Sequence, residues 1–235
     1  MTKNDPVDIN SAALKSGSWY TLSNVLIRSS GLLTAPIFTR LLTTSDYGIV
    51  SNFMAWVGIS FVFTSFGLPY CIGNAKVDYQ SHFHEVISSI QVLGFIGSLF
   101  LLLLSIVFRE RLSEIYGLEQ NLVVLVYVYL LFYPSVILMQ EKYKFNFQYK
   151  QNVAISIANT IGAIVLCILF IYIFNDQRYY GRILGLISPM FLMGIYFFIK
   201  IFRDGWHAHV TRYWKYALKI TIPMIPHSFA MVVLG

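Results

Sequence analysis

The chain has 235 residues, of which 57% are hydrophobic, 17% aromatic and only 12% charged, with a mean hydropathy of +0.64. Those proportions exclude a single soluble core under a charged skin and point to an all-α integral membrane protein. A net charge of +6 fits either a nucleic-acid surface or an asymmetric membrane topology, and two cysteines, Cys71 and Cys167, exclude a disulfide framework or a cysteine metal site.

Residues 1–18 are polar and lead into an apolar run at 19–42 that is too long for a signal peptide and lacks a small-residue exit, so the first helix is expected to stay in the protein. Near its middle stands Arg28, the one charge at mid-depth in any complete apolar run of the chain. An intramembrane cation costs roughly 2.5–3.5 kcal/mol on insertion scales, so it is expected to face a cavity and a partner. Tyr20, Asn24, Arg28, Gly31 and Ala35 recur at helical spacing, which puts an amide, a guanidinium and small residues on one stripe. Asn24 either binds a ligand directly or supports the Arg28 head group. Pro36, without an amide proton, and Gly31 make the outer half of this helix a candidate hinge.

Thr43 to Asp46 then form a tight turn, with Thr44 or Ser45 as a cap and Asp46 complementing the dipole of a second helix at 47–68. Further apolar runs cover 86–108, 122–140, 153–174 and 183–202, each long enough for a hydrocarbon core about 30 Å thick. None alternates as a membrane barrel strand would, so all six are read as helices. Among polar residues within the runs, Asn52 and Asn159 are candidates to line a cavity, while the serines and threonines read as interhelical hydrogen bonds. His82/His84 and His207/His209 have an H-x-H form but no accompanying cysteine or carboxylate set, so they read as solvated loop residues. Lys142-Tyr-Lys-Phe-Asn-Phe-Gln-Tyr-Lys150 alternates like a strand, but its place between two spans reads as a lysine-bearing interfacial anchor against anionic lipid. A seventh run begins near Tyr216 and reaches Gly235 with no polar flank, as in a helix that is cut short. It carries His227, a group that titrates near neutrality and so a candidate for proton coupling.

Eleven of the seventeen Lys and Arg residues fall on the side shared by the N-terminus and the second, fourth and sixth connections, five fall on the other side, and Arg28 lies between them. The N-terminus is therefore expected in the cytoplasm, and the basic balance becomes a topology signal that needs no nucleic acid. All eleven acidic residues lie outside or at the edges of the runs. A cavity with a cation and no mid-depth carboxylate favours an anionic ligand, because the guanidinium fork matches phosphate oxygens. No Walker motif, Gly-rich phosphate loop, G-x-S-x-G or Ser/His/Asp set occurs, so neither an enzyme nor an ATP-driven pump is expected. No cofactor or metal is expected either.

The stretch Ile37-Phe-Thr-Arg-Leu-Leu-Thr-Thr-Ser-Asp-Tyr-Gly48, with Pro36 before it, resembles the P-x-x-x-R-x-L-x-x-x-x-Y/F-G pattern of the polysaccharide biosynthesis family. Phe66-Gly-Leu-Pro-Tyr-Cys-Ile-Gly-Asn-Ala-Lys76 and Ile222-Pro-Met-Ile-Pro-His-Ser228 are also similar to that family. The family holds flippases of lipid-linked O-antigen and capsule repeat units, within the superfamily of the MATE multidrug exporters. The resemblance implies a six-helix half-bundle of MATE-like fold, with residues 1–215 as an N-terminal lobe and 216–235 as the start of a second lobe with an incomplete seventh helix. It implies translocation of an undecaprenyl-diphosphate-linked oligosaccharide across a bacterial cytoplasmic membrane, with membrane lipid around it and a proton or sodium ion as the coupling ion. Arg28, Asn24, Asn52, Asn159 and His227 are the candidate substrate contacts, and Gly31 and Pro36 the hinge. The rival readings are a MATE-type multidrug exporter and an inactive truncated copy.

Overall fold

The computed structural model describes residues 9–206 and 210–234, except the side chains at 9–16, 20, 22–24, 26–28, 33 and 231–234. All regular structure among the described residues is helical. The first helix, α1 (Ile9–Leu41), has 33 residues, or about 50 Å at 1.5 Å per residue, and so exceeds a hydrocarbon core. It begins ten residues before the apolar run and passes through Pro36 without interruption. The chain then turns into α2 (Thr44–Ser65). Its N-cap is Thr43, one residue earlier than expected, in a reciprocal capping box with Asp46: the Asp46 amide donates to Thr43 Oγ1 at 3.2 Å and the Thr43 amide to Asp46 Oδ2 at 2.8 Å.

α2 ends where Phe66 and Gly67 adopt left-handed backbone, with φ of 48° and 65°. A 3-10 turn at Leu68–Cys71, the short helix α3 (Ile72–Asp78) and a second 3-10 turn at Gln80–His82 then run into α4 (Phe83–Val107). The opposite connection contains a helix that the apolar runs did not foretell, α5 (Arg109–Tyr116), closed by Gly117 at φ 60°. The fourth span is divided at Leu131 and Phe132 into α6 (Gln120–Leu130) and α7 (Tyr133–Phe145), because Pro134 cannot donate to the preceding turn. α8 (Tyr149–Ile173) and α9 (Arg178–Gly205) follow. Between α7 and α8 the lysine-bearing stretch is helix and a short turn with Phe147 at φ 56°, so its alternation is not that of a strand. The expected seventh run is divided between an amphipathic helix, α10 (Thr211–Thr221), a 3-10 turn at Ile222–Met224, and α11 (Ile225–Leu234). Position 215/216 lies inside α10.

Five helical segments among the described residues are long and apolar enough to cross a membrane: Thr44–Ser65, Gln80–Val107, Gln120–Phe145, Tyr149–Ile173 and Arg178–Gly205. The protein is an all-α, multi-pass membrane protein. Glycines set its closest packing. A Cβ at Gly185 would lie 2.4 Å from Cys167 Cα and one at Gly181 2.5 Å from the Phe170 carbonyl oxygen, so α8 and α9 meet backbone to backbone in the most extensive helix contact. Gly194 approaches the Phe132 carbonyl in the same way, where the fourth span is broken. α1 joins this wall through Phe38 and Leu42, which pack with Cys167 and Ile171 of α8. α11 rests on α2.

Candidate functional site

Arg28 lies near the middle of α1 along the backbone, and its side chain and that of Asn24 fall outside the described residues. The described members of their stripe, Gly31 and Ala35, are exposed, and a Cβ on Gly31 would meet nothing within 4 Å. Beyond Arg28, therefore, this face of α1 is uncovered. The proposed hinge residues are both exposed on α1: the Pro36 carbonyl accepts from Thr39 Oγ1 at 3.1 Å and the Gly31 carbonyl from Thr34 Oγ1 at 3.3 Å.

The other candidates do not converge with one another. Asn52 Nδ2 donates to the Tyr116 carbonyl at 2.7 Å and to that of Gly117 at 3.4 Å, joining α2 to the end of α5. Trp56 Nε1 donates to the same Tyr116 carbonyl at 3.1 Å and its ring stacks on Tyr116 at 3.7 Å. The Asn52 amide thus holds two helices together and does not open onto a cleft. Asn159, on α8, has a buried Oδ1 with no hydrogen-bond partner among the described residues, the sort of acceptor that a water or ligand satisfies. His227 is exposed on α11.

A cleft of about 400 Å³ opens between the end of α2, the Leu68–Cys71 turn, α7 and α11. Phe61, Val62, Pro69, Ile137 and Phe145 give it apolar walls, Ser65 and Ser228 small polar points, and Glu141 and Lys144 a charged rim. The rim residues pair with each other at 3.4 Å and are on the surface, so the pair contributes little stability. His227 is the neighbour in sequence of Ser228, and so is the one candidate with a described side chain that the chain brings close to this cleft.

Directly behind the rim, Lys142 points the other way. It is 6% exposed, and its Nζ lies 3.1 Å from Asp204 Oδ2 and 3.1 Å from His84 Nδ1. This corrects two expectations. Lys142 is not a lipid anchor but the centre of a polar junction joining α7, α4 and α9, and His84 is not a loop residue but part of the first turn of α4. A Cβ at Gly205 would lie 2.3 Å from the His84 carbonyl, so that helix end has no room for a larger residue. His82 pairs with Glu85 at 3.1 Å, whereas His207 and His209 lie outside the described residues. No group of three or more potential metal ligands occurs among the described residues.

α10 closes the same end of the bundle. Trp214 Nε1 donates to the Ser89 carbonyl at 2.9 Å, and the Tyr216 hydroxyl donates to Asp78 Oδ2 at 2.6 Å. Tyr79 meets the rings of Tyr213 and Tyr216 edge-on. Burial, then the Asp78 carboxylate beside it, holds the Tyr216 phenol well above its ordinary range, so it remains a donor through neutral pH.

Every described carboxylate sits near a helix end or outside the spans. Asp46 and Glu85 are in first turns, Asp78 and Asp204 at the ends of α3 and α9, and Glu141 in the last turns of α7; Glu110 and Glu114 are on α5, Glu119 caps α6, and Asp176 precedes α9. A helical membrane bundle with this charge placement and with the turn sequence at 36–48 is matched by the sequence model of one family, "Polysaccharide biosynthesis protein", over residues 13–235. The chain belongs to the polysaccharide biosynthesis protein family. Comparison with curated proteins and with solved structures gives no match. Nearly all of this family member lies within the matched region, so the candidate residues Asn24, Arg28, Asn52, Asn159 and His227 all do too.

Sequence reasoning missed the Lys142 junction, because its three members come from three separate helices. It also missed Trp56, which was counted only as apolar bulk. Gly181 and Gly185, four residues apart, carried a small-xxx-small signal for the α8–α9 contact that the run of apolar residues obscured.

Proposed function

We propose that this chain forms the N-terminal lobe of a MATE-like flippase. The lobe would carry an undecaprenyl-diphosphate-linked oligosaccharide from the cytoplasmic to the outer leaflet of a bacterial cytoplasmic membrane, for O-antigen or capsule synthesis. In this reading the protein is a carrier and not an enzyme, and its N-terminus is cytoplasmic, on the side where eleven of the seventeen cations lie. Family membership supports the saccharide-related cargo. The observation that carries the anionic head group is the charge placement: the described carboxylates are all peripheral, while Arg28 stands at the middle of α1. A guanidinium at that depth, with every described carboxylate peripheral, favours a phosphate over the organic cations of a multidrug exporter.

The packing supports a division of labour. α8 and α9, locked by their glycines, form a wall that moves as one piece. α1 meets this wall at both ends, through Phe38 and Leu42 and through the Trp19 ring stacked on Tyr149, and in this reading its exposed face at Gly31 and Ala35 changes neighbours as access alternates. Arg28 holds the diphosphate, Asn24 supports or joins it, and the polyprenyl tail stays in lipid. The cleft between α2, α7 and α11 opens at the lysine-rich end, where the lipid-linked sugar would enter, with Lys144 on its rim. Asn159 is a further acceptor for sugar hydroxyls, and His227 the group that would couple a proton; sodium is the other coupling ion.

The test is complementation of a flippase-null strain with the reading frame that encodes this chain and whatever lies beyond Gly235. Arg28→Ala abolishes surface polysaccharide and Arg28→Lys keeps part of it, because a point charge replaces a bidentate fork. Wild-type polysaccharide in Arg28→Ala overturns the assignment. Drug resistance conferred by the intact gene would favour the exporter instead.

A further inference from the structure

On the outer wall of the lobe, α9 carries a second polar feature that the transport reading does not use. An open groove of about 470 Å³ is lined by Tyr196, Ile199, Lys200, Arg203 and Asp204. Leu192, Tyr196, Ile199, Arg203 and Trp206 follow one another at spacings of four, three, four and three, so they form a single stripe along the helix. That stripe is uncovered: Leu192 is 62% exposed, Tyr196 58% and Trp206 74%, and Ile199 and Arg203 are exposed as well. Read toward the helix end, it passes from aliphatic to aromatic to cationic and finishes on a tryptophan. This is the order met on leaving a hydrocarbon core for the head-group layer.

Two details make this more than a snorkelling pair. The Lys200 ammonium is held in place, with its Nζ donating to the Tyr143 hydroxyl at 3.2 Å and lying 5.9 Å from the centres of the Tyr143 and Tyr196 rings. Two of its three donors are left for another acceptor. Asp204, the one carboxylate in the groove, is engaged from behind by the buried Lys142 at 3.1 Å. The lysine offsets its charge, and the groove keeps a net positive balance from Lys200 and Arg203, neither of which forms an ion pair among the described residues.

We propose that this groove binds the phosphodiester head group of an anionic glycerophospholipid, with its acyl chains lying along Ile199, Tyr196 and Leu192. The aliphatic stripe is continuous with the cationic end, so the ligand has to carry both an anion and a long apolar tail. A soluble phosphate ester offers only the first. The inference rests on the membrane fold and stands whether or not the chain is a flippase.

The experiment uses the purified full chain in a neutral detergent, titrated with phosphatidylglycerol, with phosphatidylcholine of the same acyl chains, and with glycerol phosphate. Retention of lipid is read by native mass spectrometry and the thermal midpoint by intrinsic fluorescence. Phosphatidylglycerol should be retained and raise the midpoint, while the other two have at least tenfold weaker effects. Lys200→Gln with Arg203→Gln should weaken phosphatidylglycerol retention about tenfold or more, whereas Lys150→Gln with Lys215→Gln, two exposed lysines outside the groove and the cleft, should not. Lys200→Arg with Arg203→Lys keeps both charges and should retain the lipid, which separates loss of charge from loss of fold. Equal retention of the two lipids by the wild-type protein, undiminished retention in the double glutamine variant, or equal binding of glycerol phosphate would each overturn the proposal.

Discussion

The α8–α9 wall and the first helix both use glycine, and they use it for opposite ends. At Gly185 and Gly181 the missing Cβ lets backbones touch, with positions 2.4 and 2.5 Å from neighbouring main-chain atoms. At Gly31 the missing Cβ touches nothing within 4 Å. The first pair holds two helices in one register. The second leaves a helix interior weak, because glycine is about 1 kcal/mol poorer than alanine there. A single residue type thus marks both the tightest helix contact of the lobe and an open helix face.

The largest effect expected is at the wall. Gly185→Leu forces a side chain into the backbone of Cys167 and should cost about 3 kcal/mol or more, read as loss of monodisperse protein on detergent size-exclusion and a fall in thermal midpoint. Gly31→Ala should leave stability unchanged or raise it by up to about 1 kcal/mol. If the two substitutions destabilise alike, the contrast between close-packed wall and open helix face is lost. If Gly31→Ala folds normally but slows polysaccharide export, the contrast is sharpened, because stiffness alone then accounts for the defect.

Next in size is the junction that fastens α7 to the wall. Lys142→Ala removes the partner of Asp204 and the neighbour of His84. Breaking a buried pair costs about 3–5 kcal/mol, but the Asp204 side chain is 36% exposed and water recovers part of that, so about 1–2 kcal/mol is expected. Lys142→Met together with Asp204→Asn should be less destabilised than Lys142→Ala, since no unpaired charge remains. A double variant that is worse than the single would mean that the ion pair itself, and not the avoidance of a lone charge, holds the junction.

What was legible in the sequence divides along the same line. Segment length and hydropathy foretold five of the six expected spans, because crossing lipid imposes them on each helix separately; the first run lies in α1, which is not among the five qualifying segments of the described residues. The capping turn at Thr43 to Asp46 was legible because both partners lie within four residues. Contacts between distant helices were not. Asn52 looked like a cavity residue until the Tyr116 carbonyl, 64 residues away, came within 2.7 Å. Lys142 looked like a surface lysine because Asp204 and His84 reach it only in three dimensions. α5 was hidden because its charged sequence is helical without being apolar. The seventh run was read as one helix because α10 and α11 follow closely in sequence, although Pro223 and Pro226 stand at the 3-10 turn and the first residues of α11 where the two helices part.

At the opposite end of the bundle the same kind of tie is neutral and should be weaker. Asn52→Ala or Trp56→Phe each removes one donor to the Tyr116 carbonyl, which keeps the other, so each should cost about 1 kcal/mol. Removing both leaves that carbonyl without either side-chain donor, and the double variant should lose more than the sum of the two. Strict additivity, measured by thermal denaturation of the four proteins, would show that the two donors act independently.

The smallest expected effect is none at all, and it tests whether the wall and the turn beside the cleft are as closed as they look. Both cysteines are 0% exposed. Burial pushes the Cys71 thiol up to about 12, so the thiolate is suppressed across the neutral range; at pH 8 it amounts to about one part in ten thousand, against a substantial fraction for an ordinary exposed thiol. A membrane-permeant maleimide should therefore leave Cys71 and Cys167 unlabelled in native membranes at pH 7–9, and label both once detergent denaturation exposes them. Tenfold more thiolate per pH unit still leaves Cys71 negligible at pH 9, so labelling that appears within this window has to come from opening and not from titration. Labelling of Cys71 alone would put the motion in the turn beside the cleft, and labelling of Cys167 alone would put it in the α8–α9 wall, where the glycine contacts forbid it.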